Sequence, residues 1–362
     1  MNRQTRLAVS TILVALVAAG PSRGREPVAD PPREPVAWRR LPPLPDPCGV
    51  AGPFAGIVDG GLVVAGGANF PDGPPWEGGT KVWHDVIWRL DHEAGTWRDV
   101  GRLPRRLAYG VSVTVPDGLV CVGGSDADGH AVGCFRLAIT GDEPIAHPLP
   151  DLPRPLANAC GGLVGTAIYV CGGTEAPDAT RPQATLRRLD LAADDAHWVE
   201  LADCPGGPRL LATAAVSEGA FYVIGGADLE PDADGGTVRR YRRDAWAYEP
   251  ARGWRRCADL PTPLVAAPSP APVLADGRVL LVGGDTGTHV GFRPPADHPG
   301  FSRRMLVYDP RADRWQDVGE AAVARVTVPV VQWHDRFVIT SGEARPGVRS
   351  PEVWSLRPEP RP

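Results

Sequence analysis

Lysine is almost missing from this chain. Of 38 Lys and Arg side chains only Lys81 is a lysine, so no single arginine stands out by its type. Positive charge is not in excess either. A formal net charge of −5 excludes broad binding to nucleic acid or to anionic membrane surfaces. The seven cysteines include no C-x-x-C pair, which removes zinc-ribbon and thioredoxin-like readings. Cys121 and Cys171 end apolar runs and read as small buried hydrophobes; one disulfide is allowed by the count but not assigned. No G-x-S-x-G, phosphate-binding loop or dinucleotide fingerprint stands in a fitting context. "DADG" at 126–129 lacks the spacing and closing Glu of a calcium loop, so it reads as a turn. No metal and no cofactor are expected.

Glycine and proline are plentiful, at 43 and 41, and they punctuate apolar runs. That pattern predicts many turns rather than disorder. Arg3 and Arg6 precede an apolar run at 7–19, followed by Pro21, Ser22 and Arg23. The run is too short to span a bilayer as a stable helix. Residues 1–20 read as an export signal and 21–35 as a Pro-rich lead-in, giving a periplasmic or secreted protein. No cysteine follows the run, so no lipid anchor is expected.

One unit recurs six times. Glycine pairs fall at Gly66–Gly67, Gly123–Gly124, Gly172–Gly173, Gly225–Gly226 and Gly283–Gly284, with Ser341–Gly342 as a sixth, degenerate pair; the spacings are 49 to 58 residues. Each follows a short apolar run, as in "LVVAGG" and "FYVIGG". A later strand opens on Trp97, Trp198, Trp254 or Trp315; the second copy has "IAHPLP" instead. Four short strands, a glycine pair and a late tryptophan are the kelch pattern, which predicts an all-β, six-bladed kelch-type β-propeller over 36–357. The sixth copy lacks its Trp-bearing strand, and "PVAWRRLP" around Trp38 supplies it. The N-terminal strand therefore completes the last blade.

Antiparallel meanders place the loop after each glycine pair and the entry to each first strand on one face. The first set gives Asn69, Ser125, Thr174, Asp228, Asp285 and Glu343. The second gives Arg105, Arg106, Tyr109, Arg154, Asn158 and Arg209, and Arg345 and Arg349 follow in the sixth blade. Two long insertions, 68–85 and 285–304, lie on the same face. Their Trp76, Trp83, His84, His289 and His298 are expected mainly to pack the loops.

"GVAGPFAGIVDGGLVVAGGANF", "AYGVSV" and "SGEARPGVR" together resemble the N-acetylneuraminate epimerase (sialic acid mutarotase) family. The resemblance spans nearly all of 38–356, with the blade order cyclically permuted relative to enterobacterial members. It implies interconversion of the anomers of N-acetylneuraminate, with Glu343 as the acid–base group and Arg349 on the substrate side. Arg345, Arg209, Asn69, Tyr109, Arg106 and Asn158 are the expected substrate contacts. Some relatives carry Arg directly before "AYGVS", where this chain has Leu107. The expected partner is a small sugar acid, with neither nucleic acid nor a membrane anchor; a homodimer is allowed, but the sequence does not fix the oligomeric state.

Two rival readings stay open at this stage. A copper-radical oxidase resembling galactose oxidase needs two Tyr and two His ligands and a Tyr–Cys crosslink. A non-catalytic propeller would bind a sugar or a protein without accelerating anything.

Overall fold

The second strand of each repeat is built from aliphatic and aromatic residues with few polar interruptions. In Gly61–Ala65, Gly118–Val122, Ala167–Cys171 and Ala220–Ile224 every residue is buried. Strands covered on both faces read as continuous apolar runs rather than alternating ones. The computed structural model describes residues 36–141, 143–232 and 236–358. The expected export signal at 1–20 and lead-in at 21–35 lie outside the described residues.

Six antiparallel sheets follow one another as the blades of a propeller. Blade one comprises Phe54–Val58, Gly61–Ala65, Val86–Leu90 and Arg98–Arg102. Blades two to four repeat that order from Val111–Val115, Cys160–Val164 and Thr213–Ser217. Blade six runs Val330–Trp333, Arg336–Thr340 and Val353–Pro358, and its fourth strand is Val36–Leu41, paired Trp38 to Leu356. The N-terminal strand thus closes the ring, as the displaced Trp38 predicts.

Blade five departs from the pattern. It has three regular strands, and the segment at 268–274, where the other blades carry their first strand, makes only the bridge Val273 to Val279. Pro268, Pro270 and Pro272 remove three amide donors from residues 268–272, and proline cannot donate to a ladder.

Apolar clusters lie between blades rather than within them. Phe54, Ile87, Leu119 and Phe135 join blades one and two, and Val64, Trp97, Trp333 and Val338 join blades six and one. The late tryptophans also latch blades together. Trp97, Trp198, Trp254 and Trp315 each donate an indole N–H at 2.8 Å to a backbone carbonyl at the exit of the preceding blade, on Pro42, Pro150, Ala202 and Ala258. All seven cysteines are free, and Cys121 and Cys171 are buried.

The axis carries the tightest symmetry. One residue per blade, just ahead of the inner strand, is left-handed: Gly52, Tyr109, Asn158, Leu211, Ala266 and Thr327, with φ between 54° and 62°. Each donates its amide to the carbonyl of the one before, and Gly52 donates to Thr327, so six bonds of 2.7–2.9 Å form a closed circle. Left-handed backbone costs about 1–2 kcal/mol at each non-glycine position. The circle of bonds and the packed blades hold it in place.

Candidate active site

The residue directly after each glycine pair bridges to the residue before the left-handed one. The six bridges are Ala51–Ala68, Ala108–Ser125, Ala157–Thr174, Leu210–Ala227, Val265–Asp285 and Val326–Glu343. This ring of positions surrounds the axis above the circle of amides. In blades one and four it is occupied by Ala68 and Ala227, not by Asn69 and Asp228 as the sequence reading had it. A shift of one residue turns a side chain to the other face of an extended chain. Asn69 accordingly points away and is buried, bonded to Asp46, the Gly49 carbonyl and His84.

Among these six positions Glu343 is the largest residue. It begins the two-stranded hairpin Glu343–Arg345 and Val348–Arg349, where Glu343 stands directly opposite Arg349. The turn between them uses Gly347 at φ 77°, a conformation glycine adopts freely. Its amide donates to Glu343 Oε1 at 2.7 Å. The spacing of "EARPGVR" is therefore a hairpin that sets a carboxylate and a guanidinium side by side. Arg345 does not share their face. A register shift between Glu343 and Arg345 redirects it, and its guanidinium donates to the Ala296 carbonyl at 2.7 Å, strapping the 285–304 insertion.

Glu343 and Arg349 line a cavity of about 610 Å³ at the mouth of the propeller, a size that suits a small ligand. Tyr109, Asn158 and Thr327 from the amide circle form part of its floor. The Glu343 carboxylate is 18% exposed, and its Oε2 makes no hydrogen bond among the described residues. Arg349 is only 6% exposed, yet its contacts are slack. It lies 3.4 Å from Glu343 Oε1, 3.4 Å from the Ala68 carbonyl and 3.5 Å from the Tyr109 hydroxyl, with its guanidinium 4.6 Å over the Phe70 ring. Strong guanidinium–carboxylate bonds are about 2.7–2.9 Å. A buried cation this loosely held has bonding capacity left for an anion.

Other expected contacts fall elsewhere. Arg209 is fully buried and donates to Asp244 at 2.8 Å and to the Gly225 carbonyl at 3.1 Å, so it braces the gap between blades and does not line the cavity. Arg106 is 69% exposed and reaches only Asp85, at 4.0 Å. His84 packs within its loop as expected, its Nε2 meeting Asn69, while Asp85 faces Arg102 and Arg106. Asp126 Oδ1 accepts the amides of Asp128 and Gly129, so "DADG" is a turn. In the second insertion His289, Phe292, His298 and Phe301 pack in a chain of edge-to-face and tilted ring contacts.

The sequence reading missed Lys81, His130 and Arg239, which also line the cavity. Lys81 follows the "WEGGT" turn, and its rarity is the one signal that singles it out. His130 bonds Thr174 at 3.1 Å, and burial lowers its pKa, with Lys81 adding to the effect against the opposing Asp178. Arg239 comes from a hairpin that no repeat copy predicts.

Comparison with known proteins bears on this geometry. The N-acetylneuraminate epimerase family profile matches residues 31–143 and 149–291, well over half of the chain. Glu343 and Arg349 lie beyond both spans. An N-acetylneuraminate epimerase of Yersinia pestis (strain Pestoides F) is 28% identical over 236 residues, 58% of this chain and 57% of that protein. One from Brucella melitensis is 38% identical over 255 residues, 62% of each chain. Both alignments thus span less than two thirds of the relative's length. A solved structure titled "Structure of YjhT" superposes with a TM-score of 0.63 at 14% identity, covering 85% of this chain and 94% of the other, which supports the fold alone. The chain belongs to the N-acetylneuraminate epimerase family.

Proposed function

We propose that this protein is a mutarotase that interconverts the α and β anomers of N-acetylneuraminate. One observation carries the reading. A half-buried carboxylate with an unengaged oxygen and a buried, slackly bonded guanidinium stand opposite each other on one hairpin facing an axial cavity.

The chemistry asks for little more. Glu343 Oε2 takes the proton of the anomeric hydroxyl as the bond between the anomeric carbon and the ring oxygen breaks. The ring oxygen gains a proton, and an open-chain ketone results. Rotation about the adjacent carbon–carbon bond presents the other face of the carbonyl. The chain hydroxyl then attacks, losing its proton while the carbonyl oxygen regains one. A carboxylate that alternates between base and acid, with water completing the relay, serves both directions. A positioned acid–base group contributes about 10²–10⁴-fold, enough for a reaction that already proceeds unaided in water. Arg349 anchors the carboxylate beside the anomeric carbon, the planar group a guanidinium fits best.

The repeat is of kelch type, and Arg3, Arg6 and the apolar run at 7–19 support export to the periplasm or beyond. Mass spectrometry of the protein from a periplasmic fraction would find a mature N-terminus near residue 21 if that is right, and an intact Met1 if it is wrong.

The activity is tested by proton NMR of freshly dissolved β-N-acetylneuraminate. The enzyme should shorten the re-equilibration time at catalytic concentration, and Arg349→Ala should raise KM more than it lowers kcat. A time course identical with and without protein would refute the assignment.

A further inference from the structure

Lys81 stands one residue before the short strand Val82–Trp83, whose pairing with Ala68–Asn69 fixes it to the rim. Its ammonium lies 4.3 Å from the Tyr109 ring centroid and 5.0 Å from that of Trp83. Both distances are within cation–π range. Two aromatic faces position the charge but leave ammonium donors unused, since the group carries three N–H bonds. Lys81 makes no hydrogen bond or ion pair among the described residues, and it borders the cavity.

The carboxylates of the same wall are engaged with other groups. Asp126 pairs with Arg105. Asp285 accepts the Tyr241 hydroxyl at 2.6 Å and the Gly287 amide at 2.9 Å. Glu343 accepts the Gly347 amide and faces Arg349. Lys81 is therefore a cation on the cavity wall with no anion of its own. Tyr109 links it to the catalytic hairpin: one ring face carries Lys81, while the hydroxyl meets Arg349 at 3.5 Å.

The residue type points the same way. Of the 38 Lys and Arg side chains in this protein, every other one is arginine. A guanidinium here would lie flat on the tyrosine and spend its width on stacking, whereas an ammonium is a compact charge with rotatable donors.

We propose that Lys81 is the second cationic jaw for the substrate carboxylate, working with Arg349, and that it makes the cavity select acidic over neutral sugars. This rests on the mutarotase reading above. The competing role is a cation–π strap that only holds the 68–85 insertion in place.

Isothermal calorimetry with N-acetylneuraminate and its methyl ester separates the two roles, because the ester keeps the ring and loses the charge. Wild type should bind the acid at least about 10-fold more tightly than the ester. Lys81→Met should weaken the acid by about 10- to 100-fold and leave the ester unchanged. Lys81→Arg, which keeps the charge, should recover part of the preference. Equal weakening of acid and ester, or no change for the acid, overturns the proposal in favour of the strap. If Lys81→Met does not fold, Lys81→Gln carries the same comparison. Wild type that prefers the acid but exchanges no anomers removes the mutarotase reading and leaves the Lys81 assignment standing; wild type that binds neither removes both.

Discussion

Arg209 and Arg349 are both buried guanidiniums, and their partners decide their roles. Arg209 is firmly held: each of its three nitrogens donates once, to Asp244, the Gly225 carbonyl and the Gly207 carbonyl at 2.8, 3.1 and 3.3 Å. Burial alone would raise the Asp244 carboxyl, but the Arg209 charge and the hydrogen bonds from Arg209 and Trp246 outweigh it and hold the pKa below its ordinary value. Removing one member of such a pair strands the other. Arg209→Ala should therefore cost about 3–5 kcal/mol, read as a lower urea midpoint at unchanged slope; a midpoint equal to wild type would contradict the bracing role. Arg349 has only long contacts, which fits a group waiting for a ligand. This distinction was not legible in the sequence. Counting from the glycine pairs places Arg209 near the rim in "GGPRLLA", but Leu211, two residues on, is the one that reaches the axis. Offsets give the end of the blade; only the period-2 alternation and the left-handed residue give the direction. The same slip put Asn69 and Asp228 in the ring of positions that Ala68 and Ala227 occupy.

At the scale of elements, the degenerate pair Ser341–Gly342 does work that no other pair does. In blades one to four the second glycine donates to a carbonyl at the entry of the next blade along the sequence, whereas here the bond closes the ring: the Gly342 amide reaches the Val50 carbonyl at 2.9 Å. The Ser341 hydroxyl adds to that closure, accepting the Val50 amide at 2.9 Å and lying 2.6 Å from the Ser350 carbonyl. The serine holds φ at 97°, a strained value for any residue with a Cβ. Its hydroxyl bonds offset that strain. Ser341→Ala keeps the strain and leaves a buried amide unpaired, so it should destabilise by about 1–3 kcal/mol. Chemical denaturation checks this, and an unchanged midpoint would show that the hydroxyl is idle. Repeat number, blade order and closure by the strand at Trp38 were legible because glycine pairs and late tryptophans are imposed by backbone and latch geometry. The inner strand of blade five was not, because its apolar residues look strand-like while Pro268, Pro270 and Pro272 deny it a ladder.

On the scale of the whole molecule, two histidines link stability to pH. Burial lowers the pKa of His84, with Asp46 opposing and Arg106 reinforcing, and burial likewise lowers His130. A histidine with a depressed folded pKa binds fewer protons when folded than when unfolded. Stability then rises with pH through the window between the two values and is lost as pH falls below the ordinary 6.5. The urea midpoint should accordingly drop below about pH 6.5; a flat or rising midpoint there would show that neither histidine is neutral in the folded protein. Because His130 lines the cavity, ligand affinity belongs in the same titration. That the hairpin bearing Glu343 borders the cavity was legible from "SGEARPGVR" and its place on the rim, and the axial cavity followed from the ring. The remaining wall was not, since Lys81 and Arg239 arrive on insertions outside the repeat.

The central claim is that the Glu343 carboxylate carries the proton at the axis of the ring. It is tested most directly by anomer exchange NMR on Glu343→Gln beside wild type, with binding of N-acetylneuraminate measured on the same samples. The amide keeps the shape and loses the base. The expected result is a fall in the exchange rate of about 10²-fold or more with the ligand still bound. Exchange at the wild-type rate by a folded, ligand-binding Glu343→Gln would contradict the account.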